Sequence, residues 1–287
     1  PEVIQLDVEW LASTLASRKA SNELLRATLV CLRAELNVSL PSNARAMADE
    51  YLGLALETLD TPIAAPESCL DKKEPYGNLA KGFLVAVLEG RRHAAEQLFF
   101  DAVDEGAPIQ DLHNHVITQV QSELGRMWQT DEIHVAEEHF GSRVIEDVLA
   151  ILRSRMVCEP DNGQTVLLAS VSGNLHDIGP RLVADQFEMR GWRPIFLGAN
   201  MPIPDLVRGV ADFNPRLVAL SVGQALNLRS AADTIAALRA SEPDLAILVG
   251  GSPFAAMDDL WKDVGADACA TDAASALAFA QSLLEAK

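Results

Sequence analysis

The 287-residue sequence predicts an all-α N-terminal half joined to a doubly wound α/β C-terminal half. Two observations carry this reading. Through about residue 157, apolar residues recur at helical spacing between clear breakers. From about residue 164, short β-branched runs alternate with amphipathic stretches, the pattern of a parallel sheet covered by helices on both faces. Composition agrees, since 49% of the residues are hydrophobic and only 5% aromatic, which suits Ala- and Leu-rich helices packed on helices and sheet.

Residues 3–17 carry apolar positions at helical spacing. Ser21 is placed to cap a second helix running to about residue 36. Pro41, Ser42 and Asn43 then break the chain before a third helix over 44–59. Residues 61–76 hold three prolines and mixed charge, and read as a linker that closes an N-terminal helical region over 1–76.

Segments near 78–90, 91–105, 108–127 and 131–156 are each long enough for a helix of three or more turns. Breaks at Gly90, at 106–108 and at 128–131 separate them, so an antiparallel four-helix bundle is expected over 77–157. His93, His113 and His115 fall on these helices and read as satisfied or exposed positions.

In the last region, 160–287, TVLLASV (165–171), PIFLG (194–198), RLVALSV (216–222), LAILVGG (245–251) and DACAT (267–271) read as five strands. Each is followed by a helical stretch, which predicts a five-stranded parallel Rossmann-like (flavodoxin-like) sheet. Ligands of such sheets lie at the carboxyl ends of the strands, where strand order reverses.

Several function classes are disfavoured. A formal charge of −18 and a pI of about 4.6 repel phosphate backbones, so direct nucleic-acid binding is not expected. Cys31, Cys69, Cys158 and Cys269 lie far apart with no CxxC spacing, which argues against a zinc site or a disulfide framework. Acids near the start and the lack of a ~20-residue apolar run argue against a signal peptide and a membrane span. The expectation is a soluble cytoplasmic protein.

The loop after the first strand reads Gly173-Asn174-Leu175-His176-Asp177-Ile178-Gly179. From Gly179, 41 residues intervene before Ser221-Val222-Gly223, and another 26 precede Gly250-Gly251. All three elements fall at the ends of predicted strands. A neutral imidazole on such a loop can supply a nitrogen ligand to a metal. Gly179 lets the next helix start close to a ligand, and Gly250 and Gly251 place no side chains in its way.

This pattern resembles the cobalamin-binding domain family, with its D-x-H-x-x-G, S-x-L and G-G elements, over about 160–287. The resemblance implies that His176 ligates cobalt from below, with Asn174, Asp177, Ile178, Gly179, Ser221, Gly223, Gly250 and Gly251 around the nucleotide tail. Two residues depart from it. The family's Asp, which accepts the ligand histidine's second N–H, is Asn174 here, so the imidazole receives less electron density. Gly223 stands where the family has Leu, which alters the tail pocket.

Upstream, Trp128 is followed after nine residues by Glu138-His139. Thr130 or Asp131 is placed to cap a helix on which Val135, Glu138, His139 and Ser142 share a face. An indole beside an acid and an imidazole suits a flat, polar group such as a nucleoside. This spacing, with Val135, is similar to the cap of light-sensing MerR-type repressors, which encloses the adenosyl group of adenosylcobalamin. Gln129 replaces those relatives' upper-ligand histidine, so either no bis-histidine product forms or His134 or His139 takes that role.

The resemblance implies a non-enzymatic photoreceptor: a stand-alone cobalamin light sensor acting through a regulatory protein partner, a transcription factor for instance. Adenosylcobalamin is the expected dark cofactor and hydroxocobalamin the other form, and dimerisation through the bundle is the expected assembly. Some such relatives also carry a linear tetrapyrrole, a bilin, for which no site is identified. The alternatives are a corrinoid carrier for methyl transfer and a cobalamin storage or chaperone module.

Overall fold

The computed structural model describes residues 2–70 and 75–285, so residues 71–74 of the expected linker lie outside the described residues. The chain divides into two compact units, Pro1–Ala150 and Ile151–Lys287.

The helical unit opens with α1 (Glu2–Ser17), α2 (Asn22–Ser39) and α3 (Ser42–Thr58). Ser21 caps α2 as its sequence position predicts, its Oγ accepting from the Glu23 N–H at 3.1 Å. A small core of Val8, Leu29, Leu52 and Ala55 holds the three helices together. Arg33 grips Asp49 with two hydrogen bonds of 2.6 and 2.9 Å and ties α2 to α3. Residues 62–70 have no helix or strand. They are pinned by the buried Glu123, whose carboxylate accepts from the Cys69 N–H (2.7 Å) and the Ser68 hydroxyl (3.1 Å).

Four further helical stretches follow: α4 (Gly77–Leu88), α5 (Arg92–Asp104), α6 (Ile109–Leu112) running through a π turn (His113–Ile117) into α7 (Thr118–Gln129), and α8 (Val135–Arg153). The π turn interrupts the expected continuous helix. Phe83 and Phe99 meet edge to face at 4.9 Å, and Leu112, Ile117, Leu124, Ile145 and Leu149 are fully buried. His113 is buried, His115 partly so, and His93 is exposed beside Glu96.

One expected helix start is corrected. α8 begins at Val135 and is capped by His134, not by Thr130 or Asp131. The Glu137 N–H donates to His134 Nδ1 (3.3 Å) and the Glu137 carboxylate accepts from the His134 N–H (2.9 Å), a reciprocal box. The physical reason lies in how α7 ends. Asp131 is left-handed (φ +60°) and the Glu132 N–H closes back on the Met127 carbonyl, so the chain is still finishing one helix at 130–132.

The α/β unit holds β1 (Thr165–Ser170), β2 (Arg193–Phe196), β3 (Leu217–Ser221), β4 (Ala246–Gly250) and β5 (Ala268–Ala270), all parallel in the order β2-β1-β3-β4-β5. Apolar residues alternate between two cores. Val166, Leu168 and Leu217 pack with Phe187, Trp192, Ala276 and Ala280 on one face. Leu167, Ala169, Val218 and Leu220 pack with Leu206, Val210, Ile235 and Leu238 on the other. That double burial is why the strands read as unbroken apolar runs. Order reverses between β1 and β3, so the loops after these strands meet at the carboxyl end of the sheet.

Candidate cofactor-binding site

After β1 the chain turns through Gly173 (φ +86°) and returns as the loop carrying His176, before α9 (Ile178–Met189) begins. The loop is held from several sides. The Gly173 N–H donates to Asn200 Oδ1 (2.7 Å), the Asn200 N–H to the Asn174 carbonyl (2.9 Å), and the Ser170 hydroxyl to the His176 carbonyl (2.8 Å). Asn200, distant in sequence, is a positioning residue that no local motif announces.

Asn174 is 1% exposed and its orientation is decided by its partners. Its Nδ2 donates to the Ser221 carbonyl at 3.1 Å, and a carbonyl only accepts, so Oδ1 must face the other way. There Oδ1 accepts from the His176 N–H (3.1 Å) and lies 3.2 Å from His176 Nδ1. An acceptor facing Nδ1 matches a proton on Nδ1, and in that tautomer of the imidazole Nε2 carries the lone pair. His176 is otherwise exposed. The geometry therefore turns Nε2 of His176 outward on a fixed loop, and Ser221 contributes to it through its carbonyl.

The glycines around this pair fit a flat approach. A Cβ on Gly223 would sit 2.8 Å from Asn174 Oδ1 and 3.1 Å from His176 Nδ1, so a side chain there collides with the pair. Gly251 has φ +120°, and a Cβ there would lie 2.0 Å from the Val222 carbonyl oxygen. A Cβ on Gly250 would lie 2.7 Å from the Ala270 carbonyl oxygen, so both glycines let β3, β4 and β5 end close together. Gly179, in the first turn of α9, has nothing within 4 Å of a Cβ position, a space open to a ligand. Asp177 precedes that helix without a side-chain cap bond, and Ile178 is buried beneath it. Leu175, next to His176 in the chain, and Leu226, three residues after Gly223, stand 73% and 70% exposed, suited to a broad apolar ligand edge. Sequence reasoning passed over both, although apolar residues inside ligand-facing loops were the available signal.

In the helical unit, Glu138 Oε2 meets His139 Nδ1 at 2.5 Å and Oε1 accepts from the Ser142 hydroxyl at 2.8 Å, so the expected shared face forms. Val135 is 53% exposed on the same helix. Trp128 is half-buried, and its indole is already engaged. Trp10 stacks on it (centroids 6.1 Å apart, planes at 28°) and the Arg18 guanidinium lies 5.0 Å from its centroid. Gln129 donates to the Ser13 hydroxyl at 2.6 Å and so is turned toward α1.

Residues 164–279 match the model of the B12 binding domain, and residues 79–153 match a second B12 binding domain model. A corrinoid protein of Desulfitobacterium hafniense is 23% identical over 69% of this chain and 94% of that protein. The HTH-type transcriptional repressor CarH of Myxococcus xanthus is 23% identical over 71% of this chain and 68% of its own. Against a dimethylamine corrinoid protein of Methanosarcina acetivorans, 28% identical, the match spans 42% of this chain and 56% of the relative. The fold is that of the Methanosarcina barkeri monomethylamine corrinoid protein, with a TM-score of 0.64 at 19% identity over 72% of this chain and 98% of the other. Two B12 binding domain models thus account for the helical segment 79–153 and the α/β segment 164–279, and cobalamin binding is the property they share.

Proposed function

We propose that the chain binds cobalamin through His176 Nε2 and serves as a light sensor that acts through a protein partner, without catalysis of its own. When bound, cobalamin supplies a cobalt–carbon bond that visible light cleaves. The chain's residues do the rest. Asn174 holds the His176 proton on Nδ1 and keeps Nε2 free, while Gly179, Gly250 and Gly251 leave the strand ends clear for the nucleotide tail. Trp128, Val135, Glu138 and His139 are the candidate contacts to the upper group, which is adenosyl in the dark form.

The observation that carries the sensor reading is Asn174 itself. Its Nδ2 is committed to the Ser221 carbonyl, so the group beside the ligand histidine is a fixed, neutral amide with no exchangeable acid proton. A methyl carrier cycles its cobalt ligation and benefits from a carboxylate there. The carrier reading nevertheless has more relatives behind it, because most of the matched proteins are named corrinoid proteins. It stands as the second reading, with storage a third. None of them needs a bilin.

The two cap histidines differ as candidate upper ligands after light. His134 Nδ1 accepts the Glu137 N–H, which puts its proton on Nε2. His139 Nδ1 faces the Glu138 carboxylate at 2.5 Å, so Nε2 is the ring nitrogen turned away from that contact. The test is absorption and size-exclusion of protein loaded with adenosylcobalamin in the dark, before and after visible light. A spectral change faster than in free cofactor, with altered elution, supports the sensor. Equal rates and unchanged elution, with transfer of a methyl group to or from the loaded protein by a methyltransferase, refute it in favour of the carrier.

A further inference from the structure

The N-terminal helix α1 sits on Trp128. Trp10 and Arg18 are eight residues apart, about 12 Å along the helix, and both converge on the one indole. The backbone around that indole is held as well. Arg18 donates to the Trp128 carbonyl (2.8 Å) and the Gln129 carbonyl (3.0 Å), and Ser17 donates to the Gln129 carbonyl (2.8 Å). Ser13 accepts from Gln129 Nε2, and Arg18 reaches Asp131 at 3.9 Å. Every polar residue from Ser13 to Arg18 except Thr14 thus binds the end of α7. The core that otherwise retains α1 is small, with only Val8 and Ala12 buried on this helix.

We propose that α1 is a built-in occupant of the Trp128 indole, and that a planar group on a bound cofactor and Trp10 compete for that ring. The proposal rests on the reading of Trp128 as a contact for the upper group. An aromatic ring and a cation are what an indole face attracts, and Trp10 of α1 and Arg18 just after it supply one of each. Binding of a cofactor with a planar upper group then loosens α1, and loss of that group lets α1 return. By linkage, whatever restrains α1 weakens binding of the planar group by the same factor. This gives the N-terminal helices a role as the element that reports which cofactor form is bound.

The experiment uses the full chain. Hydrogen exchange of residues 2–17 is compared without cofactor, with hydroxocobalamin, and with adenosylcobalamin in the dark, alongside the affinities of Trp10→Ala, Arg18→Gln and Trp128→Ala. The expected result is faster exchange in α1 with adenosylcobalamin than with hydroxocobalamin. Trp10→Ala and Arg18→Gln should each bind adenosylcobalamin about fivefold to tenfold tighter, with hydroxocobalamin unchanged, tenfold being about 1.4 kcal/mol. Arg18→Gln leaves the apolar face of α1 intact, so it reports on competition even if Trp10→Ala unsettles the helix. Slower exchange in α1 with adenosylcobalamin, or no gain in affinity in either variant while Trp128→Ala loses it, overturns the competition and leaves the cap reading standing. Unchanged preference between the two cofactors in Trp128→Ala overturns both.

Discussion

Replacing Asp185 with Asn should stabilise this protein at neutral pH and do nothing at acid pH. Asp185 lies on α9, the helix that begins beside His176, and it is 1% exposed. Neither carboxylate oxygen accepts a hydrogen bond among the described residues. Burial pushes its carboxyl up from 3.8 to about 6; Arg153 and Arg181 pull against this and Glu188 adds to it. Ionised carboxylate is thus disfavoured in the fold relative to the unfolded chain. The folded state binds more protons between the two values, so stability falls as pH rises from about 4 to about 6 and stays lower above that. A difference of that size corresponds to about 3 kcal/mol at most. The amide retains polar groups that need partners, so a gain of about 1–3 kcal/mol is expected at about pH 7.5, vanishing near pH 3.5. Urea unfolding at both pH values, followed by circular dichroism, measures it. A gain of equal size at both, or a loss at neutral pH only, would show that the ionised carboxylate is welcome where it sits and refute the reasoning.

Other substitutions probe the site more directly. Gly251→Ala, forced into a left-handed conformation against the Val222 carbonyl, should cost more than about 2 kcal/mol, read by thermal unfolding. Asn174→Asp puts a buried carboxylate oxygen against the Ser221 carbonyl, and should destabilise the unloaded protein by about 2 kcal/mol at neutral pH and less in acid. Unchanged stability would mean that the Asn174 amide nitrogen does not face the Ser221 carbonyl. Gly223→Ala should disturb the Asn174–His176 pair and weaken cobalamin binding without unfolding the sheet, checked by titration beside circular dichroism. Trp128→Ala should spare corrin binding but release the adenosyl form faster, measured by dilution in the dark.

Much of this architecture is legible in the sequence because it rests on local signals. Each strand is a short apolar run between polar breaks, and both faces are covered, so period and length place all five within a residue or two. Ser21 caps its helix through a hydrogen bond only two residues away in the chain. Residues whose roles depend on distant partners are a different matter. His134 caps α8 only because α7 closes through a left-handed Asp131, which a scan for Ser, Thr, Asp or Asn does not anticipate. The engagement of Trp128 by Trp10 joins residues 118 apart and leaves no periodic trace. At the candidate site, His176 and the glycine pair announce themselves by motif spacing. The need for Gly223 emerges only when β3 brings it against the amide of Asn174.

The central claim is that His176 Nε2 is the lower ligand of a bound cobalamin. Electron paramagnetic resonance of the protein loaded with cob(II)alamin tests it most directly, with histidine labelled by nitrogen-15. An imidazole nitrogen on the cobalt axis splits each line into a triplet when unlabelled and a doublet when labelled. That change is expected in the wild-type chain, and its loss in His176→Ala. A triplet that persists with labelled histidine would mean that the cofactor keeps its own base as ligand, and would contradict the role given to His176.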